Sequence, residues 1–190
     1  MESIQILMKE IRDYVNKNHF VDMYRRNKEM NKWDELCIAM DIMDDTTLGI
    51  KEFVKNGLGE TDEKKYLRLY GVLQCIYTQQ DALNLLAESF ELKLNYKEYP
   101  NSTLIREFRN ETIGHPTNTK RGTTTKRSYF SRVSLGWTEI DVVSYLNKNG
   151  SRERVIEKYN LNGMVFKYVE ELEQILIKIR RKQEEWYQTK

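Results

Sequence analysis

A chain of 190 residues fits one domain and is long enough to bury a core without metal or disulfide staples. Its 32% charged and 39% hydrophobic residues, with twelve Tyr among them, exclude a disordered polymer and suit helices carrying one apolar stripe under a charged outer face. A net charge of +2 excludes a global basic field, so nucleic-acid binding would have to come from a local patch.

The first proline is Pro100, which leaves the chain before it free to form long helices. Residues 3–29 predict a first helix with Leu7, Ile11, Tyr14 and Val21 on one stripe. Asn31 reads as the N-cap of a second, because its side chain can accept from orphan amides of the first turn. That helix carries Trp33, Leu36, Met40, Met43, Thr47, Ile50 and Val54 and stops at Gly57 and Gly59. Thr61 or Asp62 caps a third helix, whose Tyr66, Leu69, Leu73, Ile76, Gln80, Leu83, Ala87 and Phe90 recur in unbroken steps of three and four. Gln80 is the polar intruder in this seam, a residue type that sets register or faces a partner subunit.

Pro100-Asn101-Ser102 opens a fourth helix with Leu104, Ile105, Phe108 and Thr112 inward, and His115-Pro116 ends it, since a residue before proline is pushed out of helical geometry. Residues 117–127 lack any large apolar side chain and predict a loop. Residues 129–133 and 140–145 are β-branched or aromatic and predict a hairpin around Gly136. Asn149-Gly150-Ser151 then opens a last helix through Val165, Tyr168, Leu172, Ile175, Ile179 and Trp186. The expected fold is mainly all-α: one domain over residues 1–190, a bundle of about five helices, with a loop and short β-hairpin inserted before the C-terminal helix.

Cys37 and Cys75 are far apart within apolar patterns and read as buried free thiols. There is no zinc spacing, no secretory signal and no run near the roughly 18 apolar residues of a membrane span, so the expectation is a cytoplasmic protein with no metal, cofactor or membrane partner. Asp41, Asp44 and Asp45, and the acidic run at residues 60–63, read as solvated helix faces and N-terminal charge. No P-loop, dinucleotide fingerprint or nucleophile elbow is present, which leaves kinase, hydrolase and redox readings without support.

Chemistry concentrates at residues 109–116. His19, in Lys17-Asn18-His19-Phe20, reads as a surface residue, whereas His115 closes a helix that also presents Arg106 and Arg109. A histidine can serve as general base or acid near neutral pH, and an arginine offers a charged planar fork suited to phosphate. Together they suit removal of a proton from a ribose 2′-hydroxyl and stabilisation of the phosphorane that follows. On an ideal helix, however, six positions set Arg109 and His115 roughly 120° apart. Either Gly114 unwinds the last turn or the two meet across a dimer axis; the competing reading is helix-end capping by His115 and a surface salt bridge for Arg109. Lys120, Arg121, Lys126, Arg127 and Arg132 form a local basic patch suited to a phosphate backbone, with Tyr129 or Phe130 placed to stack on a base; a solvated loop with strand residues packing inward is the alternative.

The run Phe108-Arg109-Asn110-Glu111-Thr112-Ile113-Gly114-His115-Pro116 resembles the signature of the HEPN superfamily: an arginine, a polar follower, and a histidine after four to six intervening positions near the end of a bundle helix. The Gly-His-Pro-Thr run, basic Thr-rich loop and Ser-Tyr-Phe-Ser-Arg stretch are similar to a group of bacterial HEPN-like proteins. The resemblance implies a homodimer whose two motif helices build a joint cleft, and a metal-independent endoribonuclease or RNA-binding domain of phage-defence or toxin–antitoxin type. RNA and an antitoxin protein are the implied partners. Carried over, Arg109 stabilises charge on the scissile phosphate, His115 is base or acid, and Asn110 orients the substrate, with Arg106 and the basic patch binding it. A subgroup paired with nucleotidyltransferase antitoxins has a modifiable tyrosine two positions after the histidine, where this chain has Thr117. A non-catalytic HEPN-like domain for protein or nucleotide binding, and a purely structural helical adaptor, are the rival readings.

Overall fold

The apolar stripes become helices in chain order: α1 (Glu2–Lys17), α2 (Phe20–Arg26), α3 (Met30–Asn56), α4 (Asp62–Glu88), α5 (Pro100–Arg109) and α6 (Leu161–Gln188). A computed structural model describes residues 1–117, 119–121, 124–148 and 151–189, without the side chains of 119–121 and 148. Between α5 and α6 lies an antiparallel sheet of strands β1 (Thr119–Arg121), β2 (Thr124–Phe130), β3 (Glu139–Lys148) and β4 (Ser151–Asn160), paired in sequence order. The chain is therefore mainly helical, and no helix among the described residues is long and apolar enough to cross a membrane.

Helices α3 and α4 form an antiparallel pair, with Leu36, Met40, Met43 and Ile50 of one and Leu69, Leu73, Ile76 and Leu83 of the other buried. The Thr61 side chain accepts from the Lys64 amide, as its N-cap position predicts. Helix α6 completes the core with Val165, Tyr168, Leu172, Ile175 and Ile179. Burying side chains of this size stabilises by about 1.5–3 kcal/mol each, so these stripes carry the fold. A polar chain also crosses the core. Tyr168 Oη donates to Gln79 Oε1 at 2.9 Å, Gln79 Nε2 donates to Thr47 Oγ1 at 2.9 Å, and Thr47 Oγ1 donates to the Met43 carbonyl at 2.7 Å.

Several expectations need correction. The first helix is two: His19 adopts φ 50°, Asn18 Nδ2 donates back to the Tyr14 carbonyl, and the break lets Phe20 and Tyr24 pack on Trp186. The buried stripe of α1 is Ile4, Met8, Ile11 and Val15; Leu7 and Tyr14 sit at its margin. Asn31 is not a cap, since α3 begins at Met30 after Glu29 with no side-chain cap bond. Leu104 is 52% exposed rather than inward. The residues expected to form a loop at 117–127 contain β1 and much of β2: alternation within Thr124–Phe130 turns Ser128 and Phe130 inward, and that burial outweighs weak local propensity. The strand ends at Phe130, with residues 132–134 forming a 3₁₀ turn. The last helix does not open at residue 151. Ser151–Asn160 pairs along the full length of β3, and Asn160 caps α6 by accepting from the Gly163 amide. Asn149 and Gly150 lie outside the described residues. Cys37 and Cys75 are free but half-buried, and burial raises both thiol pKa values.

The sheet is anchored at two places. Phe130 lies 6.0 Å from the Tyr70 ring of α4 and 6.3 Å from Phe108 of α5, and Tyr159 lies 4.7 Å from Phe108. At the far end, the Leu58 amide donates to the Trp137 carbonyl. Gly57, at φ 54°, receives the Trp137 ring so closely that a Cβ there would lie 2.5 Å from the indole nitrogen.

Candidate functional site

Helix α5 is positioned from its first turn. Pro100 has no amide to satisfy; the Asn101 and Ser102 amides both donate to the Glu171 carboxylate of α6, at 2.9 and 2.7 Å. Asn101 Nδ2 and Ser102 Oγ donate to the same carboxylate at 2.7 and 2.8 Å, so Glu171, 6% exposed, receives four hydrogen bonds at the positive end of the helix. Gln80, buried in the α4 seam, donates to the Ser102 carbonyl and accepts from Arg106 Nη1. Its role is register between α4 and α5 rather than a contact with another subunit.

The helix then changes character. After Arg109, residues Asn110–Gly114 form a π-helical turn closed by the His115 amide, which donates to the Asn110 carbonyl at 2.7 Å. Thr112 Oγ1 donates back to the Phe108 carbonyl at 2.7 Å, the kind of side-chain competition that loosens a regular helical ladder. The wide turn brings Gly114 against Arg109, and a Cβ on Gly114 would lie 2.7 Å from Arg109 Nη1. Glycine lets the guanidinium lie on the backbone one residue before His115.

Arg109 is firmly held. Nη2 donates to Gln74 Oε1 at 2.7 Å, Nη1 donates to Asn110 Oδ1 at 3.2 Å, and the guanidinium carbon stands 4.2 Å from the Tyr77 ring centroid. Its Nε is buried without an acceptor among the described residues. Arg106 stands 4.0 Å from the same ring and pairs with Asp81 at 2.8 Å. The two cations, Tyr77 and Gln74 thus form one half-exposed patch on the α4–α5 face, with His115 exposed at its end. Beside it an open groove of about 650 Å³ is lined by Tyr66, Tyr70, Thr112, Pro116, Ser128 and Tyr129.

The expected basic patch divides. Lys126 points to the helix side of the sheet, 18% exposed, and pairs with Glu111 at 2.8 Å and Glu157 at 3.7 Å. Arg127 and Arg132 are exposed or half-exposed, and Arg127 Nε donates to the Thr117 carbonyl. The Lys120 and Arg121 side chains lie outside the described residues. Asp41 and Asp44 of the acidic cluster both accept from Arg12, at 3.0 and 2.7 Å, and no cluster of three metal-ligating side chains occurs among the described residues. Sequence reasoning missed Gln74, Tyr77 and Glu171. Gln74 and Tyr77 lie outside the α4 seam positions, which was the available signal; Glu171 is separated from its partners by 69–70 residues and left none. Comparison with known proteins found no matching family model, curated protein or solved structure.

Proposed function

We propose that this chain is a HEPN-type, metal-independent RNA-processing domain that works as a homodimer, with Arg109 and His115 as the reacting pair. The observation that carries the reading is the π-helical turn, which lays the Arg109 guanidinium on Gly114, the residue before an exposed His115. In the reaction, His115 takes the proton from a ribose 2′-hydroxyl and the 2′-oxygen attacks the adjacent phosphorus. The bond to the 5′-oxygen breaks, and the imidazolium of the second copy protonates that leaving oxygen. The products are a 2′,3′-cyclic phosphate and a 5′-hydroxyl, and Arg109 offsets the charge that builds on the phosphoryl oxygens.

The exposed face of α4 supports a dimer at this end. Leu67 is 75% exposed and Tyr70 45%, and a Cβ built on the neighbouring Gly71 would meet nothing within 4 Å among the described residues, so none of them requires glycine there. A second backbone approaching closely would require it. One observation favours a non-catalytic variant of the same reading: Arg109 already has Gln74, Asn110 and Tyr77 as partners, which suits a binding surface as well as a reacting one.

The test is incubation of total RNA with the wild-type chain, His115→Ala and Arg109→Ala in the presence of EDTA, with the new ends mapped. Cyclic-phosphate ends made by wild type and lost in both variants are the expected result. Cleavage that survives both substitutions refutes the assignment, and RNA retention without cleavage selects the binding variant. Sedimentation of Gly71→Arg should show monomer where wild type shows dimer; a wild type that sediments as a monomer removes the joint cleft.

A further inference from the structure

The strand β4 sorts its charges by face. In Ser151–Asn160 the cations Arg152, Arg154 and Lys158 share one parity and the carboxylates Glu153 and Glu157 the other, so the pleat places them on opposite sides. Register extends the sorting across the sheet. Arg127 of β2, Tyr145 of β3 and Arg154 of β4 lie in one row; Tyr129, Val143 and Ile156 lie in the next, and Thr125, Asn147 and Arg152 flank them. The opposite parity, with Ser128, Phe130, Val142 and Ser144, is buried against the helices. These three outward rows thus hold the cations Arg127, Arg152 and Arg154 and no carboxylate. The outward carboxylates Asp141 and Glu139 come only beyond them, Asp141 opposite Lys158 and Glu139 opposite Asn160. Among the described residues none of the three arginines is in an ion pair.

Aromatic rings sit inside this basic field. Tyr129 is 48% exposed and stacks on Tyr145 with centroids 6.4 Å apart and planes 26° from parallel; the Arg152 guanidinium lies 4.3 Å over the Tyr145 ring. Charged residues on β4 alone would be the ordinary protection of an edge strand against pairing. Tyrosines on the interior strands β2 and β3 serve no such purpose, and they are the stacking element that single-stranded bases use, with guanidinium planes as a second kind of platform.

We infer that the outward face of the sheet binds single-stranded RNA, its bases stacking on Tyr129 and on the Arg152–Tyr145 pair and its phosphates meeting Arg127, Arg154 and Lys158. The face spans about 10 Å across three strands and about 20 Å along them, room for a few nucleotides. This face adjoins the His115 segment, since Arg127 bonds the Thr117 carbonyl and Tyr129 lines one groove with Pro116, but it uses neither Arg109 nor His115 and stands whether or not that pair cleaves RNA.

The test is fluorescence anisotropy of a labelled short oligouridylate, against a duplex of equal length, with the 190-residue chain. Wild type should bind the single strand more tightly than the duplex. Tyr129→Ala should weaken it about tenfold. Arg152→Gln with Arg154→Gln should flatten the salt dependence by about 0.7 in log–log slope for each phosphate no longer neutralised. All three residues are exposed or edge-placed, and circular dichroism checks that the variants stay folded. The inference is overturned if wild type does not bind the oligomer, if duplex or heparin competes equally and Tyr129→Ala has no effect, or if only the Arg109 and His115 variants lose binding.

Discussion

Replacing Glu171 with alanine removes the acceptor for four donors at the start of α5. The two from Asn101 are half-exposed and water can take them over, whereas Ser102 is 1% exposed and its amide and hydroxyl would be left in the core. A hydrogen bond to a charged acceptor contributes about 1.5–3 kcal/mol, so losing the two Ser102 bonds without replacement costs about 3–6 kcal/mol. For a domain of this length that corresponds to a fall of roughly 6–24 °C in melting temperature. Urea unfolding followed by far-ultraviolet circular dichroism should show the midpoint falling with the slope unchanged, because the surface exposed on unfolding is the same. Glu171→Gln keeps an acceptor oxygen but turns a donor group towards other donors, and should lose about half as much. Amide exchange should quicken first at residues 101–109, ahead of α6. A loss under about 1 kcal/mol for the alanine variant would refute the claim that this carboxylate holds α5 in place.

Four other residues carry expectations of their own. Gly114→Ala places a Cβ 2.7 Å from Arg109 Nη1, the movable end of a long side chain, so stability should change by under about 1 kcal/mol while RNA cleavage or retention at that site falls; an unaltered RNA activity would show that the guanidinium need not lie on residue 114. Tyr168→Phe leaves Gln79 Oε1 without its donor in the core and should lower stability by about 1–2 kcal/mol in chemical unfolding, with no loss signalling that water or another donor fills the gap. Burial, and then neighbouring carboxylates, push the Tyr24 and Tyr159 phenols from an ordinary 10 up to about 12. Ionisation is thus harder folded than unfolded, so the associated stability is complete below pH 10 and is lost as pH rises through 12. Ultraviolet titration of phenolate absorbance should show a late-ionising fraction that shrinks in Tyr24→Phe; a single transition near the ordinary value would refute it.

Much of this protein is written in local periodicity. The seams of α3 and α4 are legible because burial at steps of three and four leaves the same mark in the sequence as in the packing, and Thr61 is legible because its cap is made within three residues. The segment at residues 109–116 could be found for its chemistry, but not for its geometry. An ideal helix separates Arg109 from His115, and only the packed turn, widened where Thr112 bonds back and Gly114 admits the guanidinium, lays Arg109 against the backbone of Gly114, the residue before His115. The sheet shows the same division more sharply. Alternating charge in residues 152–158 fits strand and exposed helix alike until β3 lies beside it, and then the pairing alone decides which side each charge faces. Glu171 marks the limit. Its partners are 69–70 residues away, and no local pattern can announce a hydrogen bond that exists only after α5 and α6 have packed.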